Sequence, residues 1–262
     1  MPDESNLNKT DTGSGDLAGK PFKRILLKLS GEALAGSPED ADASPFGIDA
    51  STLNNVCKEI AGVVEAQVQV AVVIGGGNFF RGISASESGI ERATADYIGM
   101  LATVMNSLAV QQGLKQIGIE ARVQSAIPIS PVSEPYVRLR ALKHLNMNRV
   151  VIFAAGTGNP YFTTDTAASL RAAEINADIL VKATKVDGVY DDDPVKNPDA
   201  KRYSTISYDE VLQKRLAVMD ATAIALCRDN NTDLRVLSIK QSGALTKMAL
   251  GENIGTLITG SA

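Results

Sequence analysis

Short apolar runs alternate with longer stretches of mixed character along most of this chain. Apolar runs that end at glycine or polar turns are typical of buried β-strands, and here they occupy 22–30, 68–74, 119–125, 150–155, 178–183, 234–238 and 256–259. Between them apolar residues recur at helical spacing, which predicts helices over 48–67, 94–112, 136–145, 167–174, 207–228 and 243–250. Because strands and helices alternate, we predict an α/β protein with three layers and a mainly parallel sheet.

Polar residues near the helix ends refine this pattern. Asp49 is placed to cap the first helix, and one residue of Thr163–Asp165 is placed to cap the fourth. Asp96 falls in the first turn of the second helix, where its charge would either favour the helix N-terminus or contact a ligand. The charges of the third helix, which include His144, are interpreted as a solvated face.

The first 21 residues do not follow the alternation. They are polar and rich in Gly, Ser, Asp and Asn, with no apolar periodicity. Such a segment buries too little apolar surface to offset the entropy of ordering it. We predict a disordered tail over 1–21 and a single domain over 22–262.

Four of the predicted strands end in turns that carry glycine or polar residues, after Leu29, Ile74, Ala155 and Ala183. The carboxyl ends of parallel strands lie at one edge of a sheet, which is where open α/β sheets bind their ligands. The turn after Ile74 starts with three consecutive glycines, which allow several backbone N–H groups to face one ligand. We therefore expect these turns to gather into one site.

The turn over Gly156–Asp165, with the sequence GTGNPYFTTD, is the richest of the four. Its glycines allow a close backbone approach, Pro160 fixes a turn, and Thr163 and Thr164 offer hydroxyl groups. An anion at the start of the following helix would be stabilised by free N–H groups and by the helix dipole. The alternative is an ordinary glycine-rich turn with a helix cap.

Charged residues near these turns have suitable chemistry for phosphate groups. Lys28 stands near the end of the first strand, where its ammonium could point at a phosphate or extend from the strand edge into water. Arg81 follows the three glycines and could bind a phosphate through two hydrogen bonds, in a bidentate contact. With Asp165, Lys182 and Lys185 they predict a site for more than one phosphate group.

Composition narrows the classes of function. The chain has 262 residues, 44% of them apolar, and a formal net charge of −4, so nothing favours a nucleic acid or a membrane surface as a partner. Two cysteines and one histidine cannot supply a zinc site of those residue types, and no apolar run is long enough for a membrane-spanning helix. The lack of a disulfide framework favours a cytoplasmic location. The aspartates of the loop after Ala183 could hold magnesium or cap turns, so no protein metal ligand is predicted.

Five motifs resemble those of bacterial UMP kinases, in the same order and at approximately the same spacing. They are Lys28–Leu34 (KLSGEAL), Ile74–Gly82 (IGGGNFFRG), Asp96 with Gly99–Asn106 (GMLATVMN), Gly156–Asp165, and Lys182–Tyr190 (KATKVDGVY), followed by a closing Gly255–Ile258 (GTLI). The resemblance extends from about Phe22 to Thr259. It implies the amino acid kinase fold, a three-layer α/β/α sandwich, and transfer of the γ-phosphoryl group of ATP to UMP with Mg²⁺ in pyrimidine nucleotide synthesis. It further implies a homohexamer that GTP activates and UTP inhibits.

The resemblance also implies residue roles by position. The implied ATP contacts are Lys28, Leu29, Ser30, Gly31, Gly77, Arg81, Thr184, Tyr190 and Asp193. The implied UMP contacts are Gly76, Asp96 (through the ribose), Thr157, Gly158, Asn159, Pro160, Tyr161, Phe162, Thr163 and Thr164. The implied catalytic residues are Lys28 and Arg81 at the transferred phosphate and Asp165 as organiser of the lysines or of the metal. To these we add Lys182, as a second cation near the phosphates.

One departure and two alternatives qualify these expectations. The loop after Leu34, which contributes to GTP activation in the family, is longer here and contains Glu39, Asp40 and Asp42. Their negative charge disfavours another anion, so GTP activation is less secure than catalysis. The alternatives are a kinase of the same fold acting on aspartate, acetylglutamate or carbamate, and a nucleotide-binding regulatory or storage protein without turnover.

Overall fold

The computed structural model describes residues 19–36, 44, 46–80, 89–194 and 196–260. Its strands are β1 Arg24–Leu29, β2 Gln69–Ile74, β3 Ala121–Ser125, β4 Glu134–Pro135, β5 Val150–Ala154, β6 Ile179–Thr184, β7 Thr205–Ser207, β8 Leu234–Ser238 and β9 Thr256–Thr259. Its α-helices are α1 Ala50–Glu65, α2 Arg92–Gln116, α3 Arg138–Asn146, α4 Thr164–Glu174, α5 Tyr208–Gln213, α6 Ala221–Asp229 and α7 Ala244–Ala249. A short 3₁₀ helix, Gly31–Ala33, follows β1 directly.

The strands form one sheet in the order β4-β3-β5-β2-β1-β6-β8-β9-β7. Neighbouring strands are parallel except for β8 and β9, which pair in antiparallel fashion. The centre of the sheet is therefore β5-β2-β1-β6, and these four strands precede the four turns that the sequence singles out. The prediction of a mainly parallel α/β fold is confirmed.

Helices cover both faces of the sheet because side chains alternate along each strand. In β1, Ile25, Leu27 and Leu29 join a core that includes apolar residues of α1, α2 and α7. Leu26 joins the core on the opposite face, which includes residues of α3, α4, α5 and α6. The strands at the centre are apolar on both faces, as expected for a parallel sheet covered on both sides.

The predicted helix over 207–228 is wrong in one respect, because the structure contains two helices there, separated by residues 214–220. Ser207 forms a capping box with Glu210 at the start of α5. The chain leaves α5 with Arg215 in the left-handed region, at φ +51°. Asp220 then caps α6 by accepting a hydrogen bond from the backbone of Ala223. Apolar spacing alone does not reveal such an interruption, because both helices bury apolar residues against the same face of the sheet.

Two further predictions need correction. Helix α2 begins at Arg92, so Asp96 lies beyond its first turn and does not act on the helix N-terminus. His144 of α3 is buried, 9% exposed, and its Nε2 lies 3.2 Å from Glu134 Oε2, so it is not part of a solvated face. The cap predicted at Asp49 is confirmed, since its carboxylate accepts a hydrogen bond from Thr52.

The predicted N-terminal tail lies mostly outside the described residues. Of residues 19–21, Gly19 donates a backbone hydrogen bond to Gly251. The boundary at residue 22 and the single domain stay predictions. Within the described part of the chain, no helix is long and apolar enough to cross a membrane.

Candidate active site

The sheet order brings the four polar turns to one edge. Lys28 of β1 pairs in register with Lys182 of β6, and Leu29 pairs with Ile74 at the end of β2. Both lysines alternate with residues that face the α1 side, so their side chains lie on the α4 side of the sheet. Sequence alternation and strand register together therefore place two ammonium groups side by side.

Asp165 joins these lysines. It lies in the first turn of α4, and its Oδ1 is 2.5 Å from Lys28 Nζ while its Oδ2 is 3.0 Å from Lys182 Nζ. Lys182 also donates to the carbonyl of Val218 in the segment before α6. The three side chains are largely buried, with 8%, 16% and 14% of Lys28, Lys182 and Asp165 exposed. They form a compact cluster, which we call the lysine–aspartate cluster.

Burial and charge act in opposite directions within this cluster. Burial raises the pKa of Asp165, but the two neighbouring ammonium groups lower it by more than burial raises it. The pKa of Asp165 therefore lies below its ordinary value. Burial lowers the pKa of Lys182, and the Asp165 carboxylate only partly offsets that effect. Within the cluster two cations share one anion, and Asp220 is only a weaker influence on Lys182, so positive charge is available to an anionic ligand.

The start of α4 is fixed by a hydroxyl and a second carboxylate. The Thr163 hydroxyl caps the helix, accepting from the backbone N–H groups of Asp165 and Thr166. The hydroxyl groups of Thr163 and Thr166 both donate to Asp220, the cap of α6. Asp220 thus joins the N-termini of two helices beside the cluster, and the prediction of a capping residue within Thr163–Asp165 is confirmed.

The turns after β1 and β2 touch so closely that Gly31 has no room for a side chain. A Cβ at Gly31 would lie 2.5 Å from Asn78 Oδ1, 2.6 Å from the Gly77 nitrogen and 2.8 Å from the Gly75 oxygen. Two buried amides hold the second turn against α2, because Asn106 donates to Gly75 and exchanges hydrogen bonds with Asn78. The glycines here serve close approach between two backbones.

A cavity of about 230 Å³ lies between the β2 turn, α2 and the Gly156–Asp165 turn. Of the predicted UMP contacts, its lining includes Gly76, Asp96, Thr157, Phe162 and Thr164. The lining does not include Gly158, Asn159, Pro160, Tyr161 or Thr163. Among the described residues, Asp96 is the one carboxylate in this lining, and the Tyr161 backbone N–H donates to it at 2.8 Å.

Comparison with known proteins adds to this geometry. The family model described as the amino acid kinase family matches residues 23–238. The chain belongs to the amino acid kinase family.

Solved structures similar to this chain include two bacterial UMP kinases. The Bacillus anthracis enzyme is 41% identical, with a TM-score of 0.87, over 93% of this chain and 98% of that one. The Ureaplasma parvum enzyme is 36% identical, with a TM-score of 0.82, over 91% and 99%. Uridylate kinase from Archaeoglobus fulgidus is 28% identical, with a TM-score of 0.66, over 90% and 99%. The resemblance to bacterial UMP kinases is confirmed.

The predicted ATP contacts are distributed more widely over this kinase. Ser30 and Thr184 line a cavity of about 690 Å³ that opens toward α1. Tyr190 and Asp193 lie outside that lining, in the segment after β6, where the Tyr190 hydroxyl donates to Asp187 at 2.5 Å. Leu29 is fully buried in the core.

Arg81 and the acidic residues Glu39, Asp40 and Asp42 lie outside the described residues. Their predicted roles therefore stay predictions. Lys185, which the sequence groups with the phosphate-binding cations, is exposed at the mouth of the larger cavity and is not part of the lysine–aspartate cluster.

Sequence reasoning missed two contributors to the site. Asp220 carries the signal of a helix cap, but that signal was hidden inside a helix predicted to run continuously over 207–228. Thr103 of α2 accepts a hydrogen bond from the Ala155 backbone at 2.8 Å. Ala155 has φ +61°, which is unfavourable for a residue with a side chain. Nothing in the local sequence predicts that Thr103 supports this strained start of the turn.

The donor set of this kinase does not favour a resident metal. Among the described residues, no group of three or more His, Cys, Asp or Glu side chains could hold a metal ion. The two carboxylates nearest the α4 N-terminus, Asp165 and Asp220, are already engaged by lysines and threonines. Magnesium commonly enters kinase sites on the phosphates of its nucleotide and keeps several waters, which this donor set allows.

Proposed function

We propose that this protein transfers the γ-phosphoryl group of ATP to UMP, giving UDP and ADP, in pyrimidine nucleotide synthesis. The observation that carries the proposal is the lysine–aspartate cluster, at the sheet edge between the small cavity and the turn that follows β6. The similarity to bacterial UMP kinases over most of the chain supports the choice of acceptor.

In this reaction a phosphate oxygen of UMP forms a bond to the γ-phosphorus, and the bond to the bridging oxygen of ADP breaks. The transition state is stabilised mainly by positioning and by positive charge. Lys28 and Lys182 would supply that charge, and Asp165 would hold both ammonium groups in place. Magnesium would arrive with ATP as part of the substrate and neutralise phosphate charge.

No strong general base is needed, because the attacking oxygen of UMP is already anionic. Asp165 is poorly suited to that role in any case. Its carboxylate is engaged by two cations, which keep its pKa below the ordinary value against the effect of burial. We therefore assign Asp165 the role of organising the lysines.

The two substrates would occupy opposite sides of the cluster. UMP would occupy the small cavity, with Asp96 at its sugar and the backbone of Gly76 at its phosphate. ATP would bind along the turns after β1 and β6, with contacts from Ser30–Gly31, Gly77, Thr184, Tyr190 and Asp193. Arg81 would serve the phosphate region, and the rest of Thr157–Thr164 would line the UMP site.

We further propose a homohexamer, on the evidence of an exposed apolar stripe along α2. Tyr97, Leu101 and Met105 are spaced four residues apart and are 45%, 50% and 47% exposed. Residues at this spacing lie on one face of a helix, and exposed apolar stripes commonly mark interfaces. The number six, activation by GTP, inhibition by UTP and the cytoplasmic location rest on the family resemblance and the composition.

A coupled assay for ADP formation tests the function. With ATP and Mg²⁺ we expect turnover with UMP and a strong preference over CMP, because a site that pairs with a base edge rejects an analogue that leaves its polar groups unpaired. Aspartate, acetylglutamate and carbamate are the controls for other kinases of the fold. Turnover with one of them, or equal kcat/KM for UMP and CMP, would contradict the proposal, and ATP binding without turnover would favour a regulatory protein.

A further inference from the structure

Arg92, the first residue of α2, contacts the Asp96 carboxylate of the small cavity. Its Nε lies 3.0 Å from both carboxylate oxygens of Asp96, one helical turn further on. Its guanidinium also lies over the ring of Tyr161, 5.7 Å from the ring centroid. Arg92 itself does not line the cavity, and Asp96 is the lining residue to which it is hydrogen-bonded.

Tyr161, in the Gly156–Asp165 turn, contacts the same carboxylate. It has φ +72°, in the left-handed region, and its side chain is 68% exposed. A tyrosine in that conformation is strained unless the surroundings hold it. Here its backbone N–H donates to Asp96 Oδ2 at 2.8 Å, and its ring makes a cation–π contact with Arg92 at 5.7 Å. Arg92, Asp96 and Tyr161 thus link the start of α2 to the Gly156–Asp165 turn, and we call them the α2 clasp.

The hydrogen bonds of the α2 clasp leave one oxygen of the Asp96 carboxylate, Oδ1, able to accept further hydrogen bonds. An ionised carboxylate offers about four acceptor positions. Among the described residues, Oδ2 accepts from Arg92 and from Tyr161, whereas Oδ1 accepts from Arg92 alone. Oδ1 therefore has the greater capacity to accept hydrogen bonds from a ligand in the cavity, and neighbouring sugar hydroxyls are donors of the right kind.

We infer that Arg92 is a positioning residue that, through Asp96, makes the cavity selective for the sugar hydroxyls of a nucleoside monophosphate. The inference rests on the proposed function and names a determinant of its substrate selectivity. Without Arg92, the Tyr161 N–H still holds Oδ2, but Oδ1 loses its partner among the described residues, so the carboxylate is less firmly oriented and can pair with water. The hydroxyls of the sugar then lose a fixed acceptor, while the phosphate and the base keep their own contacts.

A purely structural role for Arg92 makes a different prediction. An i,i+4 ion pair on a helix surface contributes to helix stability without reference to any ligand. Lys214 and Glu210 form such a pair on α5, at 3.1 Å and 44% exposed on each side, away from the cavity. Lys214→Gln is therefore a matched control for Arg92→Gln.

The test compares UMP, 2′-deoxy-UMP and 3′-deoxy-UMP as acceptors in wild type and variants. We expect Arg92→Gln to raise KM for UMP about tenfold, the effect of one charge-assisted hydrogen bond, with KM for ATP unchanged. We expect the preference for UMP over at least one deoxy analogue to fall by a similar factor, and Lys214→Gln to change neither quantity. An unchanged preference against both analogues, in a variant that melts like the wild type, would overturn the inference.

A double-mutant cycle checks that Arg92 acts through Asp96. In an Asp96→Asn background, Arg92→Gln should cause little further loss of selectivity, because coupled residues are not additive. Additive losses would overturn the clasp. If Arg92→Gln does not fold, Arg92→Lys replaces it in the test, because it keeps the charge and loses the Nε donor. A reduced preference for UMP over a deoxy analogue in Arg92→Lys would support the inference, and an unchanged preference would overturn it. If the wild type has no activity on UMP, the proposed function itself is refuted. If the wild type is active and Arg92→Gln leaves its selectivity unchanged, only the inference about Arg92 is refuted.

Discussion

Lys28, Lys182 and Asp165 illustrate how single residues in this protein combine burial with charge. Each would be costly to bury alone, and together two cations surround one anion. A group of this kind is a weak source of stability, because desolvation offsets much of the attraction. It is a good source of fixed positive charge for a phosphoryl group, because a preorganised site needs little reorganisation during the reaction.

Replacement of Lys28 with methionine tests this function directly. The change keeps most of the side-chain volume and removes one cation, while Asp165 keeps its contact with Lys182. We expect kcat to fall by about 10²–10³, as for a lost preorganised donor, with a small change in melting temperature. Lys23→Met, on an exposed residue just before β1, is the control. Turnover close to the wild-type value in Lys28→Met would reject the catalytic role.

Asp165→Asn should change the pH dependence in a defined direction. Burial already lowers the pKa of Lys182 below its ordinary value, and Asp165 opposes that effect. Without the carboxylate, the lysine loses its proton at a lower pH, so the alkaline limb of the kcat/KM profile should move to lower pH. The variant should be less stable at neutral pH, by up to about 3–5 kcal/mol for an unpaired buried charge. Because the folded state then binds the Lys182 proton less tightly than the unfolded state, part of this stability should return as the pH rises.

The matched control for this profile is Asp209→Asn, which removes an exposed partner of Arg228. Exposed pairs contribute little, so neither the profile nor the stability should change appreciably. An alkaline limb that stays in place in Asp165→Asn would show that Lys182 does not titrate in the active range. Denaturation curves at several pH values measure the stability component.

At the scale of elements, the site depends on how closely the turns after β1 and β2 approach each other. Sequence spacing predicts that these turns share an edge of the sheet, but it does not predict that their backbones touch at Gly31. The buried Asn78–Asn106 pair holds the second turn against α2 and satisfies the polar groups that this contact buries. The turn geometry is therefore set by packing between elements as well as by the glycines themselves.

Gly31→Ala should disturb that contact. The new Cβ would lie under 3.0 Å from three atoms, two of them backbone, so one turn must shift. We expect a stability loss of about 1–3 kcal/mol, typical of overpacking, together with a raised KM for ATP. Gly260→Ala is the control, since a Cβ there meets nothing within 4 Å. Unchanged melting temperature and KM in Gly31→Ala would show that the close approach is not required.

At the scale of the whole molecule, the exposed stripe on α2 points to an assembly. The helix packs one face into the core through Met100, Val104 and Val110, while Leu101 and Met105 remain exposed in the isolated chain. Exposed apolar residues are costly only when they are contiguous, and these two lie one turn apart. Burial of this stripe against a copy of the same chain would form a self-complementary contact.

Met105→Glu tests the stripe as an interface. A charge within an apolar contact should dissociate the oligomer, because the buried carboxylate would have no partner. Light scattering at micromolar concentration should then give a smaller mass, with folded protomers by circular dichroism. Leu250→Glu, an exposed apolar residue at the end of α7, should leave the mass unchanged. An unfolded Met105→Glu chain would assign the residue to the core, and a wild-type monomer would refute the assembly.

The sequence by itself determined the sheet, the order of its main elements and the edge at which the turns meet. Apolar periodicity is a local property that burial imposes on each strand and helix. The parallel register of β1 and β6 was needed to place Lys28 beside Lys182 on one face. The tertiary structure alone decided which residues from distant segments meet. Asp220 against Thr163, Thr103 under Ala155 and Arg92 beside Tyr161 are joined by hydrogen bonds and ring contacts between distant segments, and no local pattern encodes a contact between residues far apart in sequence.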